Sequence, residues 1–222
     1  MQVRRTDGQE LPLPGVEAGA SLHGRGATVV VLGHGAGGNR RNPMLLALAD
    51  ALAGSGRAAL LYDFPYAAKR LRRPDPPPVL EAATRAAAAL ALEATGARKL
   101  VHGGRSMGGR IASQVVAAGG HADGLAFLGY PLHPPGQFEK RREAHLPGIG
   151  APMLFVQGTR DDFAREDLLI ALMARLGARA ELVRVREANH SFGVRKSSGR
   201  TPEDVFAEVR EALLAWLDRN EL

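Results

Sequence analysis

The 222-residue chain contains no cysteine. Disulfide staples, thiolate metal sites and a cysteine nucleophile are therefore excluded, and nothing in the chain calls for an oxidising compartment. No apolar run approaches the roughly 20 residues of a membrane span. The opening residues, MQVRRTDGQELP, lack the apolar h-region of a secretory signal. A cytoplasmic location with no membrane attachment is the expectation. Aromatic residues are scarce at 5%. The basic residues show no groove-like pattern with interleaved aromatics, so nucleic-acid binding is not expected. Acid is in deficit as well: 23 Asp and Glu face 29 Lys and Arg, a net charge of +6. That excess can attract anionic partners. It is mostly arginine in a chain rich in Ala, Gly and Arg, and compositional bias carried on solvated helix faces and loops is the preferred account. The seven histidines lack metal-ligand spacing, so neither a metal nor another cofactor is expected.

What the chain does contain is alternation. Short apolar, β-branched runs at 27–33, 58–64, 99–104, 124–130, 152–158 and 180–187 read as strands. Helical patterns lie between and after them, at 44–56, 79–96, 106–120, 166–177 and 201–220. Strands apolar on both faces and separated by helices imply a mostly parallel sheet wrapped in helices, an α/β fold in one domain spanning 1–222. The weaker stretch before Val29 is expected to add one or two antiparallel edge strands. Ligands of such sheets sit beyond the carboxyl ends of the strands, so the strand-to-helix loops carry the functional question.

Four loops are informative. Gly104-Arg105-Ser106-Met107-Gly108 places G-x-S-x-G between a strand and a helix. A serine at such a turn is held in strained φ/ψ, and glycine two residues to either side relieves the crowding. The helix that follows directs its positive N-terminus at a developing oxyanion. The loop lacks a P-loop lysine and does not fit G-x-G-x-x-G, so it is not read as phosphate-binding. Gly33-His34-Gly35-Ala36-Gly37-Gly38 follows the first strong strand. In α/β-hydrolases this loop supplies one oxyanion-hole N–H and the residue after the nucleophile supplies the other, which assigns Ala36 and Met107. His34 is read as a structural group that holds the loop by hydrogen bonds.

The order nucleophile, acid, base selects the other two groups. His190, in Ala188-Asn189-His190-Ser191-Phe192, lies beyond the last strand and is the candidate base for Ser106. The acid should follow the strand at 152–158, where Asp161 and Asp162 stand side by side. Asp161 is preferred because it stays nearer the sheet edge. The alternative is Asp162 as a helix N-cap with Asp161 solvated.

Taken together, LGHGAGG, GGRSMGGR, FLGYPLHPPG, PMLFVQGTRD and NHSF resemble small, dienelactone-hydrolase-like α/β-hydrolases. They are also similar to the hydrolase-like domain of an animal chromatin (NSL) complex subunit and a testis-expressed relative. The resemblance implies an α/β-hydrolase fold with Ser106, Asp161 and His190 as the catalytic triad. Dienelactone hydrolases proper use cysteine as nucleophile, so their substrate does not transfer.

Two loops are expected to shape the pocket. The β-strand at 58–64 runs into Lys69, Arg70, Arg72 and Arg73, a cationic cluster that would attract an anionic ester, with Arg70 as a substrate contact. The loop from Tyr130 through His133 and His145 to Pro147 is too short for a helical lid, so the site should be open, with Tyr130 and His133 as further substrate contacts. Stiffening of long loops explains their aromatic and proline residues as well, and a solvated charge run explains the cluster. The leading reading is a serine hydrolase that cleaves a small ester or thioester through an acyl-enzyme. A cofactor-free perhydrolase and a non-catalytic interaction module on the same fold stay open.

Overall fold

The computed structural model describes residues 8–222. The reading of the opening residues as leader-free falls in part on residues 1–7, outside the described part. Eight strands form one sheet: β1 (Gln9–Pro12), β2 (Gly19–His23), β3 (Thr28–Gly33), β4 (Ala58–Tyr62), β5 (Lys99–Arg105), β6 (Gly124–Leu128), β7 (Met153–Gly158) and β8 (Ala180–Val185). Their order is β1-β2-β4-β3-β5-β6-β7-β8. From β4 onward every pairing is parallel. β1 and β2 form the expected antiparallel edge, with β2 laid against β4.

The helices are α1 (Pro43–Gly54), α2 (Pro65–Ala68), α3 (Pro77–Thr95), α4 (Met107–Ala117), α5 (Glu166–Leu176) and α6 (Pro202–Arg219). Local chemistry sets their ends. Pro77 and Pro202 occupy first-turn positions, where a missing N–H costs nothing. Thr201 and Asp204 form a reciprocal capping box at the start of α6. Gly96 stops α3 in the left-handed conformation, φ 64°. Successive strand residues divide between the two faces of the sheet. Val30 and Leu32 pack with Leu45, Leu48 and Trp216 of α1 and α6. Val29 and Val31 pack with Leu80, Ala83 and Ile111 of α3 and α4. A third cluster joins Phe127 and Phe155 to Leu169 and Leu172 of α5. Burial on both faces is why these strands are continuously apolar.

Several elements are shorter than the sequence pattern implies, and each has a local cause. β4 ends at Tyr62 because the Phe64 N–H leaves the ladder and donates to His34 Nε2 at 3.2 Å, after which Pro65 opens α2. β6 stops at Leu128 because Gly129, with a φ of 69°, leaves strand geometry. Residues 129–152, between β6 and β7, hold a 3-10 turn at Leu146–Gly148 and no α-helix, so no helical lid stands over the sheet edge. Among the described residues no helix is long and apolar enough to cross a membrane.

One core group sets an acid limit. His102 on β5 is 2% exposed, and burial pushes its imidazole down to about 4, with the His121 charge acting in the same direction. The folded state thus keeps His102 neutral where the unfolded chain would protonate it near the ordinary value of 6.5. Its contribution is complete above pH 6.5 and falls away between pH 6.5 and about 4. A shift of this size corresponds to roughly 3 kcal/mol. Thermal melts from pH 7.5 to 4 should show a steep fall in Tm for the native protein and a shallower one for His102→Gln. Parallel slopes would show that His102 is not the group responsible.

Candidate active site

The site is assembled at the carboxyl edge of β3, β5, β7 and β8, and it begins with a close backbone contact. A Cβ on Gly104 would lie 2.3 Å from the Gly33 carbonyl oxygen, and one on Gly108 would lie 2.2 Å from the same atom. Gly104 also has a φ of 144°, which L-residues rarely adopt. The glycines flanking Ser106 thus make room for the β3 backbone. That contact lets the chain turn sharply out of β5 and into α4. Ser106 is held at the apex with φ 49° and ψ −113°. Its N–H donates to Leu128 O at 2.9 Å and its C=O accepts from Arg110 N–H at 3.1 Å, so the strained residue is fixed on both sides.

Ser106 Oγ lies 2.8 Å from His190 Nε2. His190 Nδ1–H faces both oxygens of Asp161, at 2.9 and 2.8 Å. Asp161 is buried, and its remaining valences are filled by Gln157 Nε2 at 2.5 Å and the Phe163 N–H at 2.8 Å. Asp162, the alternative acid, is exposed and does not cap a helix; Arg165 occupies the N-cap position of α5. His190 sits in a tight loop. Asn189 Oδ1 accepts from Ser191 and Gly193 N–H at 3.0 and 2.9 Å, and the Phe192 side chain anchors the loop in the core. The Phe163 ring stacks on the imidazole at 4.0 Å between centroids.

The loop after β3 completes the site. His34 is fully buried; its Nδ1–H donates to Gly35 O at 2.8 Å while Nε2 accepts from Phe64 N–H. Burial holds its imidazole below the ordinary value, as a loop brace that must stay neutral requires. Tyr66 Oη accepts from the Gly37 N–H at 3.3 Å. Ala36 and Met107 both line the cleft beside Ser106. Among the described residues neither of their backbone N–H groups donates to a protein acceptor. Both are free to receive an oxyanion.

A family model for an alpha/beta hydrolase domain matches residues 26–218. The chain belongs to the α/β-hydrolase family. Solved structures show the same fold over nearly all of the chain. An alpha-beta serine hydrolase homologue from Coxiella burnetii superposes with a TM-score of 0.74 at 19% identity, covering 98% of this chain and 100% of that one. XC6422 from Xanthomonas campestris, described as an a/b serine hydrolase without lid, gives 0.71 at 18% identity and 95% coverage of both chains. A dienelactone hydrolase from Anabaena variabilis gives 0.66 at 22% identity, covering 94% and 96%.

Within this α/β-hydrolase none of the three expected substrate contacts, Arg70, Tyr130 and His133, lines the cleft. Tyr130 is 1% exposed and donates its hydroxyl to Arg142 O at 2.8 Å, so it braces a loop from inside the core. His133 is fully buried with both ring nitrogens engaged, by Pro134 O at 2.9 Å and Arg165 N–H at 3.0 Å. Arg70 does not line the cleft. The short helix α2 directs that segment toward the antiparallel edge, where Lys69 pairs with Glu17 at 2.5 Å. Arg72 and Arg73 line a separate proline-rich groove. The residues that do line the cleft include Arg105, Arg110, Pro131, Arg142, Phe163 and Ser191. Two of these carried a visible signal, since Arg105 lies inside the serine motif and Arg110 one helical turn after it. Gln157 carried another, as the lone polar residue in the buried run PMLFVQG.

The Gly33 contact makes a sharp prediction. Gly108→Ala should lower Tm by several degrees or prevent folding. Gly54→Ala, at the end of α1 with nothing within 4 Å, should be neutral or slightly stabilising. Equal melting behaviour of the two variants would mean that the close contact does not constrain the turn.

Proposed function

We propose that the protein is a serine hydrolase that cleaves small esters or thioesters through an acyl-enzyme. The observation that carries this reading is the continuous chain from Ser106 Oγ through His190 to buried Asp161, with every contact between 2.8 and 2.9 Å. In the proposed cycle His190 Nε2 accepts the Ser106 proton as Oγ bonds to the substrate carbonyl carbon. The Ala36 and Met107 N–H groups hold the resulting oxyanion. Collapse breaks the bond to the alcohol or thiol, which leaves with the proton from His190. Water then gives a proton to His190 and attacks the acyl carbon, and the acid departs as Ser106 regains its hydrogen. Asp161 stays ionised throughout. It holds the ring in the tautomer with Nδ1–H and stabilises the imidazolium.

A fluorophosphonate probe should label Ser106, and Ser106→Ala should abolish labelling. His190→Ala should reduce kcat for p-nitrophenyl acetate by three orders of magnitude or more, since base and nucleophile act as a unit. Asp161→Asn should cost far more activity than Asp162→Asn. Full turnover in Ser106→Ala or the reverse ranking of the two aspartates contradicts these roles.

The cleft has a volume of about 430 Å³, near the lower end for ligand pockets, and no helix covers it. Compact acyl groups should therefore react fastest, with no rate jump when a long-chain ester passes its micelle concentration. Such a jump would require a mobile cover that the loop at 129–152 does not provide.

A further inference from the structure

Arginine is the commonest charged residue in this chain, and several of its half-buried copies are held by carboxylates. Arg40 is held between Asp63 and Glu10, Arg57 against Asp218, and Arg200 against Glu208. Others, such as Arg160 and Arg179, are held by backbone carbonyls, and the three arginines of the cleft have no carboxylate either. Arg105, Arg110 and Arg142 are each partly buried, and none has a carboxylate within 4.0 Å among the described residues. Their contacts are neutral: Arg105 Nη2–H donates to Ser191 Oγ at 2.8 Å and Arg110 Nη1–H to Gln114 Oε1 at 3.2 Å.

The acids that could serve them are already committed. Asp161 is taken by His190, Gln157 and the Phe163 N–H. Glu143 is taken by Arg141, Arg175 and the Arg142 backbone N–H. Burial lowers the pKa of all three guanidiniums, and Arg142 adds like-charge repulsion at Arg110. Shielded, unpaired cations cost free energy unless an anion joins them. Their positions give that cost a use. Arg105 precedes the serine, Arg110 follows it by one turn of α4, and Arg142 reaches the same cleft from the loop between β6 and β7.

We propose that Arg105, Arg110 and Arg142 form an anion subsite beside Ser106, so that the substrate is an ester or thioester bearing a compact carboxylate or phosphate on one of its halves. The inference rests on the hydrolase reading for the identity of the bond cleaved; the anion site itself does not. Planar guanidiniums suit bidentate contact with either group.

Two measurements test it. In the first, adipate and inorganic phosphate are titrated calorimetrically into the native protein and into Arg110→Gln/Arg142→Gln. At least one anion should bind the native protein, and the double variant should bind it at least tenfold more weakly, with the stronger of the two naming the group recognised. Arg110→Lys/Arg142→Lys, which keeps the charge and loses the fork, should fall between them. In the second, kcat/KM is compared for p-nitrophenyl hexanoate and an anionic analogue matched to the stronger anion: p-nitrophenyl hemiadipate if adipate binds more tightly, p-nitrophenyl 6-phosphonooxyhexanoate if phosphate does. The anionic-to-neutral ratio should drop at least tenfold in the Gln double variant. It should keep its native value in Arg72→Gln/Arg73→Gln, whose cations lie outside the cleft. No anion binding to native protein, or a ratio that ignores the cleft arginines or follows Arg72 and Arg73, overturns the subsite. Anion binding without turnover of either ester, and without probe labelling of Ser106, instead overturns the hydrolase reading and leaves the subsite standing.

Discussion

The site depends on one carbonyl group. The Gly33 oxygen at the end of β3 is approached from one side by the Gly104 backbone and from the other by that of Gly108, closely enough that a methyl group at either position would overlap it. This contact joins the central strand to the turn that carries Ser106. It sets how sharply β5 can give way to α4, and so how far the serine stands above the sheet. The backbone at Ser106 is in a region that costs of order 1–3 kcal/mol. That cost is borne because the N–H and C=O of Ser106 itself are fixed by hydrogen bonds to Leu128 and Arg110. The same β3 end launches the loop that carries Ala36, so nucleophile and oxyanion donors share a single backbone reference point.

The second half of the site comes from the other side of the sheet and is built of polar contacts. Gln157 ends β7 facing inward, where its Oε1 accepts the Tyr130 N–H at 2.9 Å and its Nε2 holds Asp161. Asp161 in turn orients His190. Each member of this chain is buried or half-buried and each hydrogen-bonding group has its partner, the condition under which a polar network rigidifies a site. The His190 loop is folded on itself through Asn189 and anchored by Phe192, so the imidazole reaches Ser106 from a loop without losing its aim.

Charge is distributed in the molecule in a way its composition does not suggest. The net excess of arginine is spread over the surface, and the exposed run at Lys69–Arg73 turns toward the antiparallel edge. The cations nearest Ser106 come instead from the serine motif, from α4 and from the loop between β6 and β7. They are partly shielded and lack carboxylate partners, unlike Arg40, Arg57 and Arg200. In a cleft of this size such charges dominate the local potential.

The sequence by itself determined the order and type of the elements, because strands buried on both faces and amphipathic helices leave patterns that need no partner to be legible. It also determined the turn at Ser106, since only glycines tolerate so close an approach, and it ordered Ser106, Asp161 and His190 along the chain. The tertiary structure decided what depends on which surfaces meet. Tyr130 and His133 look like pocket residues from their loop positions, yet both are buried because the loop folds inward onto Phe127 and α5. Arg70 follows a strand that ends at the active edge, but Pro65 begins a helix that redirects it. Gln157 meets the Tyr130 N–H 27 residues away, and Arg142 enters the cleft from a loop remote from Ser106; no local pattern records such contacts. Periodicity reports which side of an element is buried; it does not report what that side is buried against.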